Sequence, residues 1–387
     1  MILILTVNMP ASVRMFSMVW LLLAACSSPP TRPSESEQRG KVLAQSARCI
    51  EAEFVRFTER TSALVASFDA DDPEAARVAF AGAMTQWELL EALQVGPAAL
   101  ALLPGGEGLR DTVYAWPLVT RCALEEALVA KSWEAGIETL LVNRKTLAAL
   151  DYLLFETGTQ TACAEDASIV ASGAWAALSA EELAARRRAF AQAVSTDVHA
   201  RAVALTARWK DGFTTTLAEP GSNNRVFMSQ RTALNSLSDA LFYLDGPVKD
   251  VKLAAPLGLA AGSCQNPPCA ELLEFQHAEL NTVALRANLA GFARLFHGCE
   301  EGVKGQGFDS LLVAVNATEL EAHMSADLAT LRASLEAAPE LRTALQAEPA
   351  TARRIYDEVK GVTDLLKTEF ITVLDLEIPT SLEGDND

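Results

Sequence analysis

The stretch "EELAARRRAFAQAVSTDVHARAVALTARW", residues 181–209, decides the fold class. Phe190, Val194, Val198, Leu205 and Trp209 fall on one face of a 3.6-residue repeat, and alanine, the strongest helix former, fills the gaps between them. This is an amphipathic helix, the longest expected in the first half of the chain, with Gly212 as its stop. Arg186, Arg187, Arg188, Arg201 and Arg208 accompany the stripe and read as a solvated face.

The same period recurs in both directions. Residues 40–68 and 72–95 read as the first two helices, the second closing at "VGP", where Gly96 can turn left-handed and Pro97 forbids continuation. "LLPGGEG" reads as a loop, and "AWPL" places Pro117 near another helix start. Further on, Leu234, Leu237, Leu241 and Leu244 line one helix, and Leu285, Leu289, Phe292 and Phe296 a second. Ile355, Val359, Val362, Leu366, Phe370 and Val373 mark the last. Alternating strand patterns are scarce, so the expected fold is all-α. "TLAEPGSNNR", residues 216–225, has linker composition. It would separate two four-helix-bundle-like halves packed together, an N-terminal one at 40–215 and a C-terminal one at 226–387.

The N-terminus carries an address. Arg14 precedes the apolar run "MFSMVWLLLAA", too short to span a bilayer and of the length of a signal-peptide core. It ends in "LAAC", which resembles a bacterial lipobox. Residues 1–25 would then be a lipoprotein signal peptide, Cys26 the lipidated new N-terminus, and 26–39 a flexible tether rich in proline and serine. Ser27 stands where an aspartate would retain the protein at the inner membrane, so the expectation is an outer-membrane lipoprotein on the periplasmic side. The lipid at Cys26 is the membrane contact, and a periplasmic or outer-membrane protein is a further partner to consider.

The net charge of −18 becomes −19 once Arg14 leaves with the signal peptide. So acidic a chain argues against nucleic acid as a partner, because phosphate binding needs clustered cations. Six cysteines would remain: Cys49, Cys122, Cys163, Cys264, Cys269 and Cys299. An even number in an oxidising compartment suggests disulfides. "CQNPPC" makes Cys264 and Cys269 the best local pair, and the other pairings stay open. No CxxC or Cys/His spacing supports structural zinc.

Signals for catalysis fail in turn. The chain has no HExxH and no GxSxG, and its imidazoles are His199, His277, His297 and His323. "GGEG" lacks the strand-to-helix context and the lysine of a phosphate loop. Glu274 and His277 in "EFQH" have the spacing used in di-iron bundles, but such a site needs two of these pairs. His323 shares a helix face with Glu319 and Asp327, which reads as an exposed charged face.

Several stretches, in order, resemble the imelysin family of exported bacterial proteins. "TQWELLEALQVGP", "YAWPL" and "ALDYLLF" in the first half are followed by "VKDVKLAAPLGL", "ANLAGFARLFHG", "GQGFDSLL" and the C-terminal "LKTEFITVLDLEIPTSLEGDND". The resemblance covers residues 40–387 and implies an all-helical, periplasm-facing protein, with a signature motif near the interface of two halves. It is a family named for a peptidase and linked to iron uptake. Its signature is GxHxxE. Registering "YLLF" places the motif's Gly at Thr146, its His at Ala148 and its Glu at Asp151. Alanine has no lone pair, so a metal-binding pair cannot form as the motif would have it.

Thr146, Ala148 and Asp151 are therefore the candidate ligand-binding positions, with Trp87 and Trp116 as possible cleft partners. No catalytic residue and no metal ligand is assigned. The leading expectation is a non-enzymatic protein that binds a ligand or partner in a pathway of iron or another divalent metal. The alternatives are an imelysin-type peptidase, and an interaction protein whose site has decayed. An open polar pocket holding Asp151 favours ligand binding, whereas a filled apolar one favours decay.

Overall fold

Ser34 opens the first helix: its hydroxyl accepts from the Glu37 amide, and Glu35 and Glu37 face the positive end of the helix dipole. In this computed structural model, residues 34–69, 72–299 and 306–379 are described. The signal peptide, Cys26 and the tether as far as residue 33 lie outside them. The principal helices are α1 (Glu35–Ser67), α2 (Pro73–Glu91), α3 (Arg121–Ala130), α4 (Leu147–Phe155) and α5 (Ala180–Arg208). They continue as α6 (Gln230–Leu241), α7 (Asn281–Phe296), α8 (Thr318–Ala337) and α9 (Pro349–Leu365). No strand occurs among the described residues, so the all-α expectation holds.

Some boundaries move. Residues 35–39, expected in the tether, are the first turn of α1, because the Ser34 cap outweighs the polar composition. At 33 residues, α1 exceeds the 29 residues of α5 and is the longest of the first half. Helix α2 stops at Glu91, ahead of "VGP", where Gly96 does take a left-handed φ of 65°. Pro117 lies in a turn, and Thr120 caps α3 instead. Beyond α5, Gly212 at φ 142° breaks the helical course, yet Thr214–Ala218 form one more short turn that runs through the first three residues of the expected linker. Arg187 is buried, contrary to the solvated reading of its stripe.

Helix α1 packs against α2 and α5, and also against α6 and Phe308–Ala314 from beyond the linker. Helix α2 in turn lies along α7. One hydrophobic core therefore continues through helices from both sides of residues 216–225, within the compact unit Pro33–Asp387. The α2–α7 approach is very close: a Cβ on Gly291 would lie 2.2 Å from the Leu89 carbonyl oxygen. Only glycine fits there.

Disulfides tie this core to its periphery. Cys264–Cys269 form the expected local bond. Cys122–Cys163 join α3 to the loop after α4, and Cys49–Cys299 join α1 to the chain after α7. The last closes a loop of 250 residues, large enough to remove much of the unfolded chain's freedom.

Candidate functional site

The sequence dictates an unusual start for α4. Thr146 holds φ 82° and ψ 171°, a conformation glycine adopts freely and a β-branched residue rarely does. Its hydroxyl accepts from the Ala115 amide at 3.2 Å, which fastens α4 to the "YAWPL" segment. The position aligned with the motif's glycine thus keeps a glycine-like backbone.

Two residues on, Ala148 presents only a methyl to a cavity of about 430 Å³. Asp151 lines the same cavity, but its carboxylate is committed to the backbone of the segment after "CQNPPC". It accepts from the amides of Gln276 (3.1 Å), His277 (3.2 Å) and Ala278 (2.8 Å). Burial pushes its pKa up to about 6, while these amides and Arg342 pull the other way.

The motif's metal does not fit these residues. Ala148 offers no donor atom, and both oxygens of Asp151 already serve backbone amides. Among the described residues, the one cluster with metal-ligand spacing is Cys264, Cys269 and Glu271, whose two sulfurs are joined to each other.

The cavity is nonetheless open and mixed in character. Trp116, Pro117, Val251 and Ala255 give it apolar walls, and Tyr152, Glu274, Gln276 and His277 give it polar ones. His277 reaches it from a different segment than the motif's imidazole would. Its ring meets the edge of Tyr152, and Nδ1 lies 3.9 Å from Glu156. Burial lowers its pKa, against the attraction of Glu156.

Behind Glu274 lies a buried polar cluster. The Lys252 ammonium contacts Glu88 at 2.5 Å, Glu274 at 2.9 Å and the Asn288 side-chain oxygen at 3.1 Å. Tyr114 donates to Glu274 at 2.6 Å, and Asn288 donates to Glu88 at 2.9 Å. Trp116 and Tyr243 flank the ammonium with their rings. Next to this, Glu91 accepts from Arg110 and from Tyr243 at 2.8 Å each.

Burial and the neighbouring Glu274 raise Glu88 to about 7, with Lys252 opposing. Burial works against the Lys252 charge as well, but Glu274 and Glu88 outweigh it and leave its pKa raised. Tyr114, buried beside Glu274, is pushed well above an ordinary phenol. Lys252 belongs to Asp245–Ala254, a widened π-type helix. That irregular winding aims both Lys249 and Lys252 into the interior, where both are buried.

Of the candidate residues, the cleft unites Ala148, Asp151 and Trp116, whereas Thr146, at the start of the same helix, does not line it. Trp87 is not among them: it is fully buried and packs its ring 5.0 Å from Phe57. Its neighbours Glu88 and Glu91 are the polar residues of that stretch that count. The sequence reading marks Glu274 only as half of a di-iron pair with His277, and it passes over Glu88, Glu91, Tyr114, Lys252 and Asn288, although every one lies in a stretch quoted for the family resemblance. For Glu88, Glu91, Lys252 and Asn288 the available signal was a lone charge or amide inside an apolar helical run. Glu274 and His277 do not share a helix face, because residues 273–280 are irregular. His323 sits exposed near Asp327, as its surface reading expects.

A helical protein with an open cleft over a buried ion cluster, at a glycine-like helix start, is the class that fold and site define. The chain belongs to the imelysin (peptidase M75) family, whose model matches residues 47–368. An imelysin-like protein from Psychrobacter arcticum superposes with a TM-score of 0.62 at 16% identity, covering 89% of this chain and 98% of that one. A protein from Parabacteroides distasonis described as an iron-regulated protein A precursor gives 0.63 at 14% identity, covering 89% and 97%. No curated protein matches the chain significantly.

Proposed function

We propose that this imelysin-family protein is a periplasm-facing lipoprotein, anchored in the outer membrane through Cys26, that binds a ligand or partner segment in its cleft without catalysing a reaction. Its place is a pathway of iron or another divalent metal. The observation that carries the binding role is the cleft itself: about 430 Å³, open, with a tryptophan wall and polar groups at its base. A site that had merely decayed would have filled with side chains. Against a peptidase role of the metal-dependent kind stands the side-chain chemistry of Ala148 and Asp151.

The iron link comes from the family and from the iron-regulated description of one structural neighbour. No helix among the described residues is long and apolar enough to cross a membrane, which leaves the anchoring role to Cys26 in this reading.

The test is native mass spectrometry of the protein released gently from iron-limited and iron-replete cells, beside Ala148→Phe, which fills the cleft. A bound mass present in wild type and missing from the variant supports the reading. Equal spectra, together with expression indifferent to iron, would sink it. Hydrolysis of a peptide library that depends on Trp116 or His277 would return the peptidase reading.

A further inference from the structure

Leu102 is 97% exposed, an extreme value for a leucine. It lies at the tip of a turn closed by hydrogen bonds from the Leu103 amide to the Leu100 carbonyl and from the Gly106 amide to the Leu103 carbonyl. Leu100, in the same turn, is 63% exposed. The turn is therefore built to present these side chains and has no packing of its own to gain from them.

This turn rests on the segment before α6. A Cβ on Gly105 would lie 2.5 Å from the Phe213 ring and 3.2 Å from Val226. Phe213 meets the ring of Phe227, and the next residue, Met228, is 72% exposed. Two residues further, Gln230 exchanges hydrogen bonds with Ser36 in the first turn of α1. Exposed Leu100 and Leu102 thus stand on a turn packed against the segment that carries exposed Met228, and that segment is hydrogen-bonded through Gln230 to the first turn of α1, where the chain from Cys26 joins.

Ser34 lies eight residues along the chain from Cys26. Fully extended they span at most about 28 Å, so a lipid on Cys26 keeps the start of α1 within that distance of the bilayer. We infer that Leu100, Leu102 and Met228 form a membrane-docking surface that inserts among the phospholipids of the anchoring leaflet and so orients the protein. This rests on the lipoprotein reading for its biological setting. Exposed apolar side chains are stabilised on leaving water for acyl chains, and a short tether supplies a high local concentration of bilayer.

The experiment makes the tether chemically. Cys26 is the one cysteine of seven outside the three disulfides. It can therefore couple the chain from residue 26 onward to maleimide lipid in phosphatidylethanolamine–phosphatidylglycerol vesicles. Hydrogen exchange is read on the vesicles, on lipid-free maleimide beads at the same density, and in solution. Amides of residues 99–107 and 226–229 should exchange at least tenfold more slowly on vesicles alone, with those of α8 unchanged. The double substitution Leu102→Asp and Met228→Asp should abolish the slowing while leaving the helical circular dichroism intact.

Equal exchange on vesicles and in solution overturns the docking surface, as does slowing that survives the double substitution. Slowing on the beads as well would show contact between copies of the chain and overturn it too. Whether Cys26 is lipidated in cells is read separately, from the mass of the mature protein against Cys26→Ser. A failure of that reading therefore cannot be mistaken for a failure of this one.

Discussion

Replacing Lys252 by methionine removes the ammonium between Glu88 and Glu274 and leaves their shape of pocket nearly unchanged. Both carboxylates are buried, at 2.5 Å and 2.9 Å from the lysine nitrogen, and Glu88 already stands at about 7 with the lysine in place. Breaking a buried ion pair from one side costs about 3–5 kcal/mol, because the partner charge is left uncompensated. Here two partners are left, but protonation of Glu88 can relieve the repulsion between them. Without Lys252 the folded pKa of Glu88 rises further above the unfolded carboxylate value. A raised carboxyl pKa means that the folded state takes up protons the unfolded state does not, so the deficit is largest above neutrality and shrinks as pH falls toward 5.

The expected result is a loss of about 4 kcal/mol at pH 8 in urea unfolding followed by circular dichroism, falling by about half at pH 5.5. Adding Glu88→Gln to Lys252→Met should recover much of the loss at pH 8 and flatten the pH dependence. A cost under about 1 kcal/mol, the same at both pH values, would refute the reasoning and place the three groups apart.

Other perturbations probe separate parts of the structure. Gly291→Ala should destabilise by about 3 kcal/mol, since its Cβ meets backbone and α2 and α7 must part to admit it; thermal unfolding reads this, and a neutral variant would contradict the close approach. Asp151, with its pKa raised to about 6, takes up a proton on folding between there and its unfolded value, so wild type should gain about 1 kcal/mol relative to Asp151→Asn between pH 7.5 and 5. Parallel stability curves would rule that out. Removing Cys49–Cys299 by serine substitution should cost about 5 kcal/mol, and removing Cys264–Cys269 about 2, because closure entropy grows with the logarithm of the loop length; the reverse order in guanidinium unfolding would count against the loop-closure account.

The helices were legible because burial repeats along them: the stripe from Phe190 to Trp209 appears as α5 within a residue or two. Part of the cleft's lining was named from α4, where registering "YLLF" on the family motif singles out Ala148 and Asp151. What the Asp151 carboxylate binds was not legible. The three amides that Asp151 binds lie more than 120 residues away in a loop, and backbone donors leave no trace in side-chain patterns. Lys252 was hidden for a different reason. In an ordinary α-helix its position would not predict burial, and the widened turns of Asp245–Ala254 rotate it inward. Trp87 shows the opposite error, a conspicuous residue that only fills the core while Glu88 beside it reaches the cluster. Cys49 and Cys299 could not be paired from sequence because their meeting depends on how α1 and α7 pack.

The central claim is that the cleft binds a ligand while the positions aligned with the family's metal motif no longer form a metal pair. Equilibrium dialysis of the wild-type protein and Asp151→Asn against ferrous, ferric and zinc ions, with metal content measured by mass spectrometry, tests it most directly. Equal metal content in the two proteins is the predicted result. Stoichiometric binding in wild type that disappears in Asp151→Asn would contradict it.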